Sequence, residues 1–243
     1  MTKLSVNINK VALLRNSRGR DFPSVLEFAQ RCLELGAHGI TLHPRPDQRH
    51  ARYQDVVDLK PLCDHFGREL NVEGNPTPEF LEVVERVKPA QCTLVPDDPG
   101  QLTSDHGWNL GKERHNLQPI IARLTRSGIR VSLFVDYDST ELPVAKQLGA
   151  ERVELYTEPY AQAFGSSQHE TMLAQFRAAA VGAQSAGLNV NAGHDLNLEN
   201  LAHFLTIPAI MEVSIGHALI AEALYAGIDS VIRRYVAICE AAV

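Results

Sequence analysis

Eight short apolar-rich runs, separated by amphipathic stretches of helix length, constrain this sequence more than any other feature. The runs span residues 3–9, 39–44, 69–74, 91–96, 130–136, 152–157, 188–193 and 211–216. Between them, helix-like patterns cover 23–35, 53–66, 78–87, 114–127, 141–148, 168–186 and 198–205. Parallel strands need crossover connections, normally helices, and eight such units can close on themselves without leaving a sheet edge. The expectation is an α/β fold, a (β/α)8 TIM barrel with extra helical segments, built as one domain over residues 1–243. Barrels of about 250 residues run as single domains. Gly36, Gly128, Gly149 and Gly187 each follow a helix pattern just ahead of the next strand, where a left-handed residue closes a helix. An open doubly wound sheet and an α+β arrangement are the alternatives. A doubly wound nucleotide binder favours a glycine-rich turn after its first strand, and Asn9-Lys10-Val11-Ala12 is not one.

Splitting each strand by odd and even positions gives a second pattern. One parity is apolar, as in Leu4, Val6 and Ile8, Leu70 and Val72, or Val131, Leu133 and Val135. Leu188 and Val190, then Met211, Val213 and Ile215, continue it. The other is mostly polar, as in Ser5, Asn7 and Asn9, Asn71 and Glu73, Glu154, Asn189 and Asn191, or Glu212 and Ser214. In a barrel the apolar parity faces the helices and the polar parity the interior, so a polar lumen is expected. A half-exposed antiparallel sheet gives the same alternation, but interleaved helices fit it poorly.

Charge narrows the partners. With 23 Lys+Arg against 29 Asp+Glu, a net −6, and no long block of either sign, the chain has no general field for nucleic acid. Any anionic ligand must be met locally. No apolar run reaches the roughly 18 to 20 residues of a membrane span, and the first ten residues lack a signal-peptide core, which points to a cytoplasmic protein with no membrane partner. Cys32, Cys63, Cys92 and Cys239 form no C-x-x-C pair and read as buried reduced thiols.

Active sites of this fold sit where strands end and βα loops begin. Strand one ends in Asn7 and Asn9 and runs into a polar loop with Arg15, Arg18 and Arg20. Strand two ends at His43 and leads into Pro44-Arg45-Pro46-Asp47-Gln48-Arg49-His50, and strand three ends at Glu73. Strand seven opens onto Gly193-His194-Asp195, and strand eight onto Gly216-His217 at a helix start. Imidazoles and one inward carboxylate around a single rim form an acid/base constellation, with Glu73 needing only a modest pKa rise to act as base and then acid. Singly, each histidine reads equally as a hydrogen-bonded structural residue and Glu73 as half of a buried salt bridge. Gly216 at a helix start makes a phosphate seat, while Arg18, Arg45 and Arg49 are either fork donors for a second phosphate or solvated loop charges.

A metal centre would draw on His43, His50, Glu73, His194 and His217. Barrel metal hydrolases often carry His-x-His on strand one, where this chain has Asn7-Ile8-Asn9, so no metal is expected. A Schiff-base lysine would be Lys10, which strict alternation turns away from Asn7 and Asn9.

Taken together, the motifs resemble those of the pyridoxine 5'-phosphate synthase family, the ring-closing enzymes of deoxyxylulose-dependent vitamin B6 biosynthesis. The likeness runs over essentially the whole chain. It is carried by VNINKVALLRNSRG (6–19), H-x-R-x-D-x-R-H (43–50), N-x-E (71–73), LVP (94–96) with Thr103 beyond it, VSLFVD (131–136), NAGH (191–194) and IGHALI (215–220). The resemblance implies a transferase assembled as a homo-oligomer, typically an octamer, that condenses 1-deoxy-D-xylulose 5-phosphate with 3-amino-2-oxopropyl phosphate, without metal or organic cofactor. It implies His43 and Glu73 as general bases and His194 as proton donor. Asn7, Arg18, Asp195, Gly216 and His217 would hold the aminoketone phosphate, and Asn9, Lys10, Arg45, His50 and Thr103 the deoxyxylulose phosphate. Three departures fall inside these motifs. Asn9-Lys10 stands where the family usually has Asp-His, Arg45-Pro46-Asp47-Gln48-Arg49-His50 where it reads R-E-D-R-R-H, and Asp195 where glycine is common. A divergent barrel enzyme acting on another ketose phosphate, or a non-catalytic barrel that binds B6 phosphates, are the alternatives. Three proton-transfer groups favour an enzyme.

Overall fold

Each apolar run forms a strand in a computed structural model that describes residues 1–98, 100–101 and 103–242. The strands are β1 (Lys3–Asn7), β2 (Gly39–Leu42), β3 (Glu69–Gly74), β4 (Gln91–Leu94), β5 (Arg130–Val135), β6 (Arg152–Tyr156), β7 (Asn189–Gly193) and β8 (Ile210–Ile215). They pair in parallel in chain order, and β8 closes onto β1, with Leu4 opposite Val213 and Ser5 opposite Ser214. Helices α1 (Asn9–Asn16) and α2 (Val25–Glu34) follow β1, α3 (Tyr53–His65) follows β2, α4 (Pro78–Val87) follows β3, and α5 (Arg114–Arg126) follows β4. Next come α6 (Leu142–Leu148) after β5, α7 (Glu158–Ala163) and α8 (His169–Ser185) after β6, α9 (Leu201–Phe204) after β7, and α10 (His217–Ala226) and α11 (Ile228–Ala241) after β8. The fold is the expected (β/α)8 barrel, and the paired helices after β1, β6 and β8 are its extra segments.

Local sequence explains the elements. In α2, Val25, Ala29, Cys32 and Leu33 bury one stripe, and the Ser24 hydroxyl caps the helix by accepting the Glu27 N–H at 3.2 Å. In α4 Thr77 does the same for Phe80 at 3.3 Å, and Pro78 occupies the first turn, where its missing N–H costs nothing. Gly36, Gly128, Gly149 and Gly187 all take positive φ, between 80° and 103°. The four cysteines are buried and unpaired.

The strand parity separates outside from inside. Leu4, Val6, Ile40, Leu42, Val72 and Leu133 are fully buried under the helices. Met211 departs from the pattern: it is exposed on β8, where the β7–β8 register shifts between Val190 and Asn191. The other parity fills the lumen with a hydrogen-bonded polar network. Ser5 and Thr41 hydroxyls lie 2.6 Å apart, Thr93 donates to Asn71 at 3.1 Å, and Gln91 donates to Glu212 at 3.3 Å. Toward the N-terminal end of the strands Arg130 joins Glu69 and Gln91, and Arg152 sits 3.8 Å from Glu212. Charged and amide groups therefore close the floor that aliphatic side chains fill in most barrels of this kind.

The largest correction concerns residues 8–20. Strand one stops at Asn7, and the stretch read as further strand and then polar loop is helical from Asn9 to Asn16. The Asn7 side chain triggers the change: its Oδ1 accepts the Asn9 N–H at 3.1 Å and satisfies a donor that a helix start leaves free. Burial of Val11, Ala12 and Arg15 on one face then holds the helix in place. At the other end of the chain, α9 is shorter than the 198–205 pattern, because Asn197 Oδ1 takes the N–H groups of Glu199 and Asn200, both at 2.9 Å, in a turn that precedes it.

Candidate active site

The C-terminal ends of the strands surround a cavity of about 540 Å3. Asn7, Asn9, Lys10, His43, Arg45, His50, Glu73, Thr103, His194, Asp195, Gly216 and His217 all line it. Arg18 is exposed on the turn after α1 and is not part of that lining. Lys10 faces the cavity despite the alternation rule, because the chain has left the sheet by residue 9 and the parity no longer applies.

Asn9 has a structural role that its substitution for a carboxylate preserves. Its Oδ1 accepts the His43 N–H at 2.9 Å, as a carboxylate would, but without adding negative charge to the rim. His43 is 6% exposed. Burial, and then the fields of Arg45, His50, His194 and Arg49, hold its pKa well below the usual imidazole value. These surroundings favour the neutral imidazole over the charged one.

Glu73 lies deeper, held by weak contacts to neutral donors: Asn7 Nδ2 at 3.4 Å, Asn71 Nδ2 at 3.4 Å and Ser214 Oγ at 3.5 Å. These partners are amides and a hydroxyl, not the guanidinium that a structural salt bridge would supply. Burial, then the negative fields of Glu212 and Asp97, push its pKa up to about 8. Glu154 is 2% exposed, and burial followed by the charge of Glu73 holds its pKa well above the usual carboxylate range. A Cβ on Gly193 would run into Glu154 Oε1, so a larger residue here would have to push this carboxyl group aside.

His194 and Asp195 occupy the left-handed region, at φ 87° and 57°. Non-glycine residues avoid it unless the surroundings hold them there. Here the Thr157 hydroxyl donates to the carbonyls of Gly193 and His194, and Asn200 Nδ2 donates to the Asp195 carbonyl at 3.2 Å. The imidazole that results sits against Phe134 and Tyr156, with ring centroids 5.2 and 5.3 Å away. Burial lowers its pKa, opposed by Asp195 and Asp97.

Two ends of the cavity suit anions. At one, Gly216 caps α10 with no side-chain hydrogen bond to the first turn, leaving N–H groups and the positive helix end to meet a ligand. A Cβ at Gly216 would stand 3.0 Å from Asn7 Cβ, so the glycine also permits this approach to β1. At the other end, Arg45 and Arg49 both donate to the Gln101 carbonyl, and Arg45 also pairs with Asp97. His50 joins them, its pKa lowered to about 4 by burial and then by Arg49, Arg45 and Lys10, and its Nδ1 is buried without a partner among the described residues.

Sequence reasoning left out several residues of this site. Glu154, Tyr156 and Ser214 line the cavity and lie on the inward parity of their strands, the signal that picked out Glu73. Asp97 and Ser104 come from the stretch after β4, where strand periodicity has ended.

Comparison with other proteins gives a consistent relationship. The family described as "Pyridoxal phosphate biosynthesis protein PdxJ" matches residues 4–241. A protein of Xanthomonas axonopodis pv. citri (strain 306) named pyridoxine 5'-phosphate synthase is 52% identical over 243 residues, covering 97% of this chain and 95% of that protein. One of the same name from Bacteroides thetaiotaomicron is 52% identical over 236 residues, covering 97% and 98%. Among solved structures, a tryptophan synthase from M. tuberculosis superposes with a TM-score of 0.68 at 13% identity, over 98% of this chain and 92% of that one. That likeness is one of fold alone.

Proposed function

Because the chain belongs to the PdxJ family of pyridoxal phosphate biosynthesis proteins, we propose that it is a pyridoxine 5'-phosphate synthase acting by acid/base ring closure. The substrates are 1-deoxy-D-xylulose 5-phosphate and 3-amino-2-oxopropyl phosphate, and the products pyridoxine 5'-phosphate, phosphate and water. The observation that carries the reading is Glu73, a carboxyl group poised near neutrality by burial and held only by neutral donors, between two anion-receptive ends of one cavity.

The first turn of α10, with Asn7, Gly216 and His217, holds the aminoketone phosphate. Asn9, Lys10, Arg45, His50 and Thr103, which all line the same cavity, hold the sugar phosphate. Addition of the amine to a carbonyl, two losses of water, release of one phosphate and aromatisation need protons taken from some atoms and delivered to others. Neutral His43 accepts the first, Glu73 takes and returns protons within the lumen, and His194 donates to the departing oxygen. Glu154 keeps its own proton and so adds no second negative charge beside Glu73 when that residue ionises. Asp195, beside the aminoketone end, directs its main chain toward Asn200.

Purified protein mixed with both phosphates is expected to form pyridoxine 5'-phosphate. Tight product binding without turnover would instead identify a non-catalytic barrel, and turnover of a different ketose phosphate a divergent enzyme. Gly193→Ala is expected to lower kcat by roughly 100-fold, the cost of an ångström-scale shift at the reacting groups, because the added methyl displaces Glu154. Steady-state kinetics beside a melting curve check it.

The protein works in the cytoplasm as a transferase and as a homo-oligomer, an octamer by family likeness. No helix among the described residues is long and apolar enough to cross a membrane. Support for assembly comes from α10, where Leu219 alone is buried while Leu224 and Tyr225 are 77% and 94% exposed. Adjacent apolar side chains this exposed on one helix suit a contact between copies. Replacing both by serine is expected to give a smaller species in light scattering, and unchanged mass speaks against this face.

A further inference from the structure

Asp97, in the stretch after β4, is a buried carboxylate with no part in the scheme above. It is 3% exposed. Its Oδ2 accepts from Arg45 Nη2 and, at 2.8 Å, from the Ser104 hydroxyl, and lies 3.8 Å from His43 Nε2. Its Oδ1 is buried and has no hydrogen-bond partner among the described residues. Buried carboxylate oxygens are ordinarily hydrogen-bonded. Asp97 also lines, with His43, Arg45 and Asn75 among others, a side cavity of about 30 Å3, room for one water.

A guanidinium and an imidazole thus compete for one carboxylate. The charged and titratable groups facing His43 are Arg45, Arg49 and His50 from the loop after β2, His194 from the end of β7, and Asp97. We propose that Asp97 is the positioning carboxylate of His43, holding Arg45 in the empty site and turning to the imidazole once substrate oxygens occupy that guanidinium. The inference rests on the reading that Arg45 binds substrate and His43 moves protons. A bond from Nε2–H to Asp97 fixes the tautomer and leaves Nδ1 as the basic nitrogen, whose basicity the carboxylate increases. The exchange makes His43 most basic only after substrate has arrived. The negative charge of Asp97 also reaches Glu73 and His194, raising the pKa of both. Its removal therefore moves all three catalytic groups in one direction.

The test is the pH dependence of kcat with both phosphates for the unmodified chain, Asp97→Asn and Ser104→Ala. Asparagine can still accept from Arg45 and Ser104, so Asp97→Asn is expected to fold. Its kcat falls by roughly tenfold or more, and the acid limb of its profile moves to lower pH by about one unit, the effect of losing a charge a few ångströms away. Ser104→Ala removes a donor to the carboxylate without removing its charge, so its acid limb moves to higher pH. This second variant decides the matter should Asp97→Asn not fold. An unshifted limb in either folded variant, or a loss of kcat uniform across pH, overturns the inference. Absence of product from the unmodified chain overturns the proposed function and this inference with it. A working unmodified chain with an unshifted limb in the variants overturns this inference alone.

Discussion

Glu73→Gln is expected to abolish ring closure, lowering kcat by roughly 10² to 10⁴-fold, and to make the protein more stable at the same time. The two effects share one cause. In the native state the buried carboxyl group keeps its proton up to about pH 8, whereas the unfolded chain releases it near the ordinary value of 4.5. Between those values the folded state binds more protons, so stability falls as pH rises through the window and the deficit is complete above it. Glutamine has the same shape and nothing to ionise. The melting temperature of the variant should therefore exceed that of the unmodified chain by more at pH 8 than at pH 5, while binding of inorganic phosphate at the α10 terminus stays intact. Retained turnover would remove Glu73 from the mechanism. A variant destabilised equally at both pH values would mean that the carboxyl group is not held against its own ionisation.

That cost also explains which parts of the molecule could be read from residues alone. A strand repeats every two residues, so the inward parity that exposes Glu73 as a polar group in a closed barrel is written in a handful of neighbouring positions. The same parity puts Glu154 and Ser214 in the lumen and extends to Tyr156, and all three line the cavity. Lys10 and Arg18 show where the rule stops. Asn7 turns the backbone into a helix through its own side chain, so Lys10 reaches the cavity and Arg18, beyond the helix end, lies in solvent. Asp97 lies beyond any periodicity. Its importance comes from Arg45, Ser104 and His43, which approach it from other segments, and a local pattern has no record of such contacts. Over 8–16 the strand pattern fails for a related reason: Arg15 of the helix pairs with Asp55 on α3, a contact that a local pattern does not record.

Arg15 gives the largest expected effect on stability. It is 2% exposed, and its guanidinium forms a two-point pair with Asp55, Nη1 to Oδ1 at 2.6 Å and Nη2 to Oδ2 at 3.0 Å. Nη2 also donates to the His50 carbonyl at 3.3 Å. Asp55 in turn accepts the Arg52 N–H at 2.7 Å at the start of α3. One side chain on α1 therefore ties together the loop that carries Arg45 and His50 and the helix that follows it. Arg15→Met leaves the carboxylate buried without its cation, which costs about 3–5 kcal/mol and lowers the melting temperature by on the order of 10 °C in a chain of this size. Asn16 still donates to the His50 carbonyl at 2.8 Å, so the loop loosens rather than detaches. KM for the sugar phosphate should rise while kcat changes little, because His43 and Glu73 are positioned from the strands. Adding Asp55→Leu removes the stranded charge and should recover much of the stability, but not the KM, since the tether to His50 is still missing. Recovery of both would assign the loop's position to Asp55 and α3, and recovery of neither would show that the pair is needed to shape the cavity itself.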